Sequence, residues 1–234
     1  MIDANSVKKI AVKLGADLCG IAPVERFNRA PVGFRPTDIY TDAKSVVVVA
    51  KKFPEGPFLS KSPIPYTVAS IIVIRNVINL ICTLCCQLEQ EDGVLAVPVP
   101  SEPYEYWDEE KREGKGLLSL RHAGYMAGLG ILGRNTLLTN ATFGNRIALG
   151  AVLLNKSLEP DDLANYDFCS AECQICIKNC PAGALNGKSV NQKLCREKCE
   201  GRTKKGETIY LCNNCRKLCP NGKGFNKKQL MEKN

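Results

Sequence analysis

The chain has 234 residues and a formal net charge of +8, with 13 cysteines and one histidine. That length allows a well-buried core with a small appended module. The N-terminus has no apolar signal region, and the most apolar run, residues 68–86, is interrupted by Arg75, Asn76 and Asn79. These features argue against a secreted or membrane-spanning protein and predict a cytoplasmic one with no membrane partner.

The N-terminal half predicts alternating helices and strands. A first helix is expected to begin at Asn5 or Ser6 and to end at Gly15. Residues 17–23 are expected to form a short buried strand, with Cys19 as a small core residue. Residues 45–50, Ser-Val-Val-Val-Val-Ala, are a continuous apolar run too short for a helix, which is typical of a central strand.

Apolar residues recur at helical spacing over residues 66–91, which predicts a long, mostly buried helix ending at Gly93. Cys82, Cys85 and Cys86 lie inside it and are interpreted as core residues, because a regular helix cannot wrap a metal cluster. Residues 94–99 predict a further strand. The order strand, strand, long helix, strand indicates an α/β layer architecture.

A loop rich in aromatic residues, 104–108, precedes a predicted helix over residues 117–129. Gly128, Gly130 and Gly133 then match the G-x-G-x-x-G pattern, but they follow a helix and lack the strand and downstream acid of a dinucleotide site. They favour close backbone approach to a bulky cofactor, and tight helix–strand packing is the alternative. Residues 136–140 and 146–154 are expected to pair as a hairpin.

Nine cysteines between residues 169 and 219 form two similar runs with a pair between them. The first run is C-x3-C-x2-C-x3-C-P and the second is C-x2-C-x3-C-P. In two-cluster ferredoxins the cysteine before proline ligates the other cluster. The pattern therefore predicts two [4Fe-4S] clusters. Zinc ribbons also use paired C-x2-C knuckles but do not need the C-x3-C-P extension, and nothing here favours disulfides.

The exchange rule assigns four cysteines to each cluster. Cluster A takes Cys169, Cys173, Cys176 and Cys219. Cluster B takes Cys180, Cys212, Cys215 and either Cys195 or Cys199, of which we prefer Cys195. The first gap, from Cys169 to Cys173, is one residue longer than usual.

The positive charge is concentrated at the C-terminal end. Residues 182–234 hold 13 Lys and Arg against 4 Asp and Glu, a net charge of +9, which leaves −1 for the remainder. Such a surface can steer an acidic electron donor, such as a ferredoxin or flavodoxin, or attract RNA. A solvated surface with a Lys-rich tail is the alternative.

Three stretches together resemble the epoxyqueuosine reductase-like family, relatives of the reductive dehalogenases that couple two [4Fe-4S] clusters to a cobalamin. They are residues 14–23 (Leu-Gly-Ala-Asp-Leu-Cys-Gly-Ile-Ala-Pro), residues 127–138 (Ala-Gly-Leu-Gly-Ile-Leu-Gly-Arg-Asn-Thr-Leu-Leu) and the two cysteine runs. The resemblance implies a nitroreductase-like α/β corrinoid domain, residues 1–162, followed by a double [4Fe-4S] ferredoxin-like module, residues 163–234. Clusters of this kind also suggest an anaerobic or reducing setting.

The resemblance extends to site residues. A cofactor would meet the glycine segment, that is Gly128, Gly130, Gly133, Arg134 and Asn135, between the α/β domain and cluster A. Related enzymes carry an acidic proton donor ahead of this segment, and here that stretch has no acid. The candidate catalytic residues are Arg121, His122 and Tyr104, with Tyr106 and Trp107 nearby.

Two functions follow from these features. The first is an iron-sulfur oxidoreductase that reduces a small or unknown substrate at a corrinoid. The second is a ferredoxin-type electron carrier without a corrinoid. Because relatives carry an α-helical repeat domain for tRNA that is not found in this sequence, tRNA is expected to be an unlikely partner.

Overall fold

The computed structural model describes residues 2–166, 169–170 and 172–225. The α-helices are α1 (Ala4–Lys13), α2 (Pro36–Ile39), α3 (Ile64–Leu88), α4 (Leu120–Met126), α5 (Ile175–Lys178), α6 (Gln192–Cys199) and α7 (Asn214–Lys217). The strands are β1 (Leu18–Pro23), β2 (Ser45–Lys52), β3 (Ala96–Val99), β4 (Tyr106–Asp108), β5 (Glu113–Lys115), β6 (Ile131–Leu132), β7 (Leu138–Thr139), β8 (Ile147–Leu154), β9 (Glu200–Arg202) and β10 (Thr208–Tyr210).

Four strands form an antiparallel sheet in the order β1-β2-β8-β3. β2 lies inside it, with Val48 opposite Gly20 of β1 and Ala151 of β8. The prediction of a central strand at residues 45–50 is therefore confirmed. The continuous apolar run has a simple cause, because both faces of β2 are covered.

The two faces of the sheet carry different helices. Val47 and Val49 point to a core shared with α1 and α3. Val46 and Val48 point to a second core that includes Ala123 of α4. Because all four valines are fully buried, each contributes about 1.5–3 kcal/mol of transfer free energy. The result is a mixed α/β fold of three layers.

Two local predictions need correction. The first helix begins earlier than expected, because the Asp3 side chain accepts a hydrogen bond from the Ser6 amide at 2.7 Å and caps α1. The predicted hairpin of residues 136–140 with 146–154 does not form: β7 pairs with β6, and β8 pairs with β2 and β3. An eight-residue buried strand gains more from two neighbours in the main sheet than from one short partner.

The long helix α3 is the one described helix whose length and composition would allow it to cross a membrane. Its inner face packs on the sheet, and the core helix of a soluble protein passes the same test. Cys85 is buried in that inner face, whereas Cys82 and Cys86 are exposed. The interpretation of all three as core residues is therefore wrong for Cys82 and Cys86.

The cysteine-rich part has almost no hydrophobic core of its own. Among its described residues, only Cys176, Ala184 and Leu185 are buried hydrophobics. Segments that cannot bury enough apolar surface need disulfides or metal centres to hold them. The part contacts the rest of the chain through β10, where the Tyr210 amide donates to Thr67 Oγ1 at 2.9 Å.

Candidate functional site

The cysteine thiols of the C-terminal part lie in two groups. The first thiol group contains Cys169, Cys173, Cys176 and Cys219. Burial, together with the charges of the other three thiols, raises the pKa of Cys219 to about 11. Cys219 belongs to the second run but lies with the first, so the chain exchanges cysteines between the two groups.

The second thiol group contains Cys180, Cys195, Cys199, Cys212 and Cys215. Cys195 and Cys199 are 3.6 Å apart between sulfurs, and Cys199 also hydrogen-bonds to Cys212. Burial, together with the nearby thiols Cys195, Cys212 and Cys180, raises the pKa of Cys215 to about 11. One thiol more than a cluster needs is present, and iron ligation by these residues remains a prediction.

Backbone amides donate to a sulfur of each group. The Arg134 amide donates to Cys169 Sγ at 3.2 Å, and the Ala184 amide donates to Cys180 Sγ at 3.3 Å. Hydrogen bonds to cluster sulfurs are one of the ways a protein sets a cluster's reduction potential. Arg134, predicted to bind the cofactor, thus has its backbone directed at the first thiol group.

No three His, Cys, Asp or Glu side chains among the described residues converge as a single metal ion would require. The described thiols lie instead in the two groups of four and five cysteines, with Cys195 and Cys199 of the second group 3.6 Å apart between sulfurs.

A cavity of about 1370 Å³ lies between the α/β part and the second thiol group. This exceeds the cavities of about 300–1,000 Å³ that hold drug-sized ligands. Its walls include all five cysteines of the second group, and no cysteine of the first group is among its described lining residues. The chain folds the second thiol group, rather than the first, against this cavity, whereas we expected a cofactor beside cluster A.

The three candidate catalytic residues, Tyr104, Arg121 and His122, all line this cavity. His122 Nδ1 is 2.7 Å from Ser119 Oγ. Burial lowers the pKa of His122, and the charge of Arg121 lowers it further. The imidazole is therefore neutral at pH 7. Arg121 donates to the Thr136 carbonyl at 3.1 Å and stays half-buried.

The hairpin of β4 and β5 closes one side of the cavity. Tyr104 stacks on Trp107 with ring centres 6.1 Å apart. The Arg196 guanidinium of α6 lies 5.3 Å and 5.1 Å from the centres of these rings and donates to the Tyr104 hydroxyl at 3.0 Å. Gln192 of α6 makes two hydrogen bonds of 3.0 Å with the Gly114 backbone.

Sequence reasoning did not single out Arg196 and Gln192. Their spacing of four residues on a short helix places them on one face, and that face turned out to be the one that holds the hairpin. A polar pair of this kind is common on solvated helices, so the spacing alone gave no signal.

The three glycines of the G-x-G-x-x-G stretch contact protein backbone and side chains rather than the cavity. A Cβ on Gly128, whose φ is +72°, would lie 2.1 Å from the Asp162 carbonyl oxygen, and one on Gly130 would lie 2.4 Å from that of Thr139. None of the three is among the described residues that line the cavity. The alternative of tight packing therefore accounts for these three glycines.

Asn135 is the member of the predicted cofactor set that does line the cavity. Its amide nitrogen donates to the Cys215 carbonyl at 2.9 Å, and Asn145 donates to the same oxygen at 3.3 Å. Arg216, next to Cys215, donates to the carbonyls of Asn145 and Ile147. These bonds fix the second thiol group against the α/β part, and the roles of Asn145 and Arg216 were not foreseen.

Comparison of the sequence with known proteins finds related reductases. No protein-family model matches the sequence. The chain is 35% identical over 127 residues to the epoxyqueuosine reductase of Staphylococcus aureus, which covers 49% of this chain and 32% of that protein. The chain thus matches about a third of that relative's length.

Solved structures give the same grouping. The epoxyqueuosine reductase of Streptococcus thermophilus superposes with a TM-score of 0.66 at 18% identity, covering 95% of this chain and 66% of that one. An epoxyqueuosine reductase bound to a modified tRNA stem loop gives 0.63 at 18% identity and the same coverage. A reductive dehalogenase described as B12-dependent gives 0.62 at 19% identity, covering 84% and 29%.

These findings correct one expectation. We expected tRNA to be an unlikely partner, but a structural neighbour that covers 95% of this chain is an epoxyqueuosine reductase with a tRNA stem loop. The resemblance to the epoxyqueuosine reductase-like family is confirmed.

Proposed function

Because the chain is a relative of the epoxyqueuosine reductases, we propose that it is a reductase that passes electrons through two [4Fe-4S] clusters to a corrinoid. One observation carries the proposal. The large cavity has α/β residues on one side and the second thiol group on the other, so a cofactor bound there would adjoin an electron source.

The thiol sets suit two clusters. Four-iron clusters are held by four cysteine thiolates each, and the two groups contain four and five cysteines. The ligands would be Cys169, Cys173, Cys176 and Cys219 for cluster A and Cys180, Cys195, Cys212 and Cys215 for cluster B. The scarcity of buried apolar residues in this part gives the clusters a structural role as well, because metal binding then contributes directly to folding.

The cavity suits a cofactor larger than a drug-sized ligand. Asn135, Arg121 and His122 would contact it from the α/β side, and the hairpin with Tyr104 would cover it. A corrinoid, when bound, supplies a cobalt centre that accepts low-potential electrons and transfers them to a substrate.

The side chains around the cavity can supply the proton that a reduction needs. The Tyr104 oxygen accepts from Arg196, so the phenolic proton is directed to another acceptor. When the Ser119 hydroxyl donates to His122 Nδ1, the neutral imidazole carries its proton on Nε2. Tyr104 and His122 are therefore the candidate proton donors, and Arg121 provides a fixed positive charge for an anionic substrate.

The substrate can be a small molecule or a nucleotide carried on tRNA. A specific observation favours the second. Tyr104, Tyr106 and Trp107 are each more than two-fifths exposed. Exposed aromatic rings are the groups on which proteins stack unpaired RNA bases.

Metal analysis and spectroscopy test the proposal. Protein purified without oxygen should contain about eight iron and eight sulfide per chain, as two four-iron clusters require. Added cobalamin should bind with a change in its visible spectrum. A zinc-only metal content would rule out the clusters, and intact clusters without cobalamin binding would rule out the corrinoid.

A further inference from the structure

The two thiol groups differ in their distance from the reaction. The cavity is lined by cysteines of the second group, and no described cysteine of the first group reaches it. On the proposed function, electrons leave through cluster B. An external reductant therefore supplies cluster A, and the protein surface over the first thiol group is where that reductant must approach.

That surface carries two exposed apolar side chains. Ile175 and Leu218 are 39% and 40% exposed, and each adjoins a cysteine of the first group, Cys176 and Cys219. The helices that hold them, α5 and α7, pack together. An exposed apolar pair of this kind suits the apolar middle of a contact surface.

Each apolar residue has a lysine on the same short helix or at its end, Lys178 with Ile175 on α5 and Lys217 with Leu218 on α7. Lys178 and Lys217 are both exposed, and neither forms an ion pair with another described residue. Glu172 is the acidic residue at the edge, next to Cys173. An apolar centre with a lysine rim is complementary to a partner that carries carboxylates around its own redox centre, and the net charge of +9 over residues 182–234 steers such a partner from a distance.

We propose that Ile175, Lys178, Lys217 and Leu218 form a docking face for an acidic one-electron carrier protein. In each encounter the carrier loses one electron and cluster A gains one, with no bond made or broken. The inference rests on the proposed function, since it takes the first thiol group to hold a cluster.

Charge reversal tests the docking face. The double variant Lys178→Glu with Lys217→Glu is compared with Lys204→Glu with Lys205→Glu, which changes two exposed lysines of the β9–β10 turn by the same charge. The assay is rapid-mixing reduction of the clusters by reduced flavodoxin, an acidic carrier, at low and high salt. Reduced methyl viologen, a small cation, is the second reductant.

The docking face predicts a fall of about tenfold or more in the flavodoxin rate constant for the first variant at low salt, which shrinks at high salt. The control variant should lose much less, and the viologen rate should not fall in either. Leu218→Gln should also slow flavodoxin relative to Leu95→Gln, an exposed leucine next to β3.

Three results would overturn the proposal. Equal flavodoxin rates in both lysine variants would show that the surface is not used. Failure of flavodoxin to reduce wild-type protein that viologen reduces would exclude an acidic carrier. A change of oligomeric state in the first variant, with unchanged rates, would assign the face to a second copy of the chain. Iron content measured in each variant separates these outcomes from failure of the clusters themselves.

Discussion

Replacing Gly130 by Ala distinguishes a packing glycine from one that contacts a cofactor. The added Cβ would lie 2.4 Å from the Thr139 carbonyl oxygen and 2.9 Å from the carbonyl carbon. These atoms cannot move aside easily, because the neighbouring Asn140 side chain is bonded to the Leu129 carbonyl at 2.6 Å. Overpacking costs about 1–3 kcal/mol, and a backbone obstacle places this change near the upper value.

A loss of about 3 kcal/mol lowers the melting temperature by about 6–12 °C, since 1 kcal/mol shifts Tm by about 2–4 °C at this chain length. Thermal unfolding is followed by circular dichroism without oxygen, with and without cobalamin. The fall should be present without cobalamin. Gly116→Ala is the matched control, because its Cβ would lie 3.8 Å from the nearest atom, in ordinary contact, and Gly116 lines the cavity.

The control should keep its Tm within about 2 °C, because its added Cβ displaces no neighbouring atom. An unchanged Tm in Gly130→Ala together with lost cobalamin binding would refute the packing argument. The glycine stretch would then contact the cofactor, as the sequence pattern predicted.

Three further predictions concern single residues. Of Cys195→Ser and Cys199→Ser, one should lose about half the iron and the other none, because one cluster takes one of the two thiols; equal losses would contradict the ligand count. Cys82→Ala should keep the full cluster spectrum, since Cys82 lies on the exposed face of α3, and any loss of iron would make it a ligand. His122, the single histidine, should titrate by NMR with a pKa below the ordinary 6.5. The unfolded chain then binds the proton more tightly than the fold does, so the fold should lose stability as the pH falls from 6.5 toward the pKa of His122 in the fold. A measured pKa of 6.5 or above would show that the ring is not buried beside Arg121.

The sequence allowed the elements with strong local signals to be predicted. The continuous run of four valines predicts a buried strand at β2, and the helical spacing of apolar residues predicts the helix α3. The C-x2-C and C-P spacings similarly restrict which thiols can meet. The exchange of Cys180 and Cys219 between the two groups follows from that spacing, and the thiols are grouped accordingly.

Features that depend on distant contacts could not be predicted. Whether Gly130 faces a cofactor or the Thr139 backbone is decided by how β6 and β7 pair, which a glycine pattern does not encode. The hairpin expected at residues 136–154 failed for a similar reason: β8 is long and apolar enough to pair in the main sheet, and local turn signals cannot outweigh two buried neighbours.

The cavity is a property of the junction between the α/β part and the cysteine-rich part. Its far wall consists of thiols from a segment with little hydrophobic core, and that segment is held by polar bonds such as Asn135 to the Cys215 carbonyl and Gln192 to the Gly114 backbone. Each such hydrogen bond stabilises the folded state by only about 0.5–1.5 kcal/mol, because water can bond to the same groups when the segment detaches. On the proposed function, cluster B supplies the missing cohesion, because it ties together the loops of Cys180, Cys195 and Cys215. On the same proposal, assembly of that cluster would fix the wall of the cavity as well as its electron source.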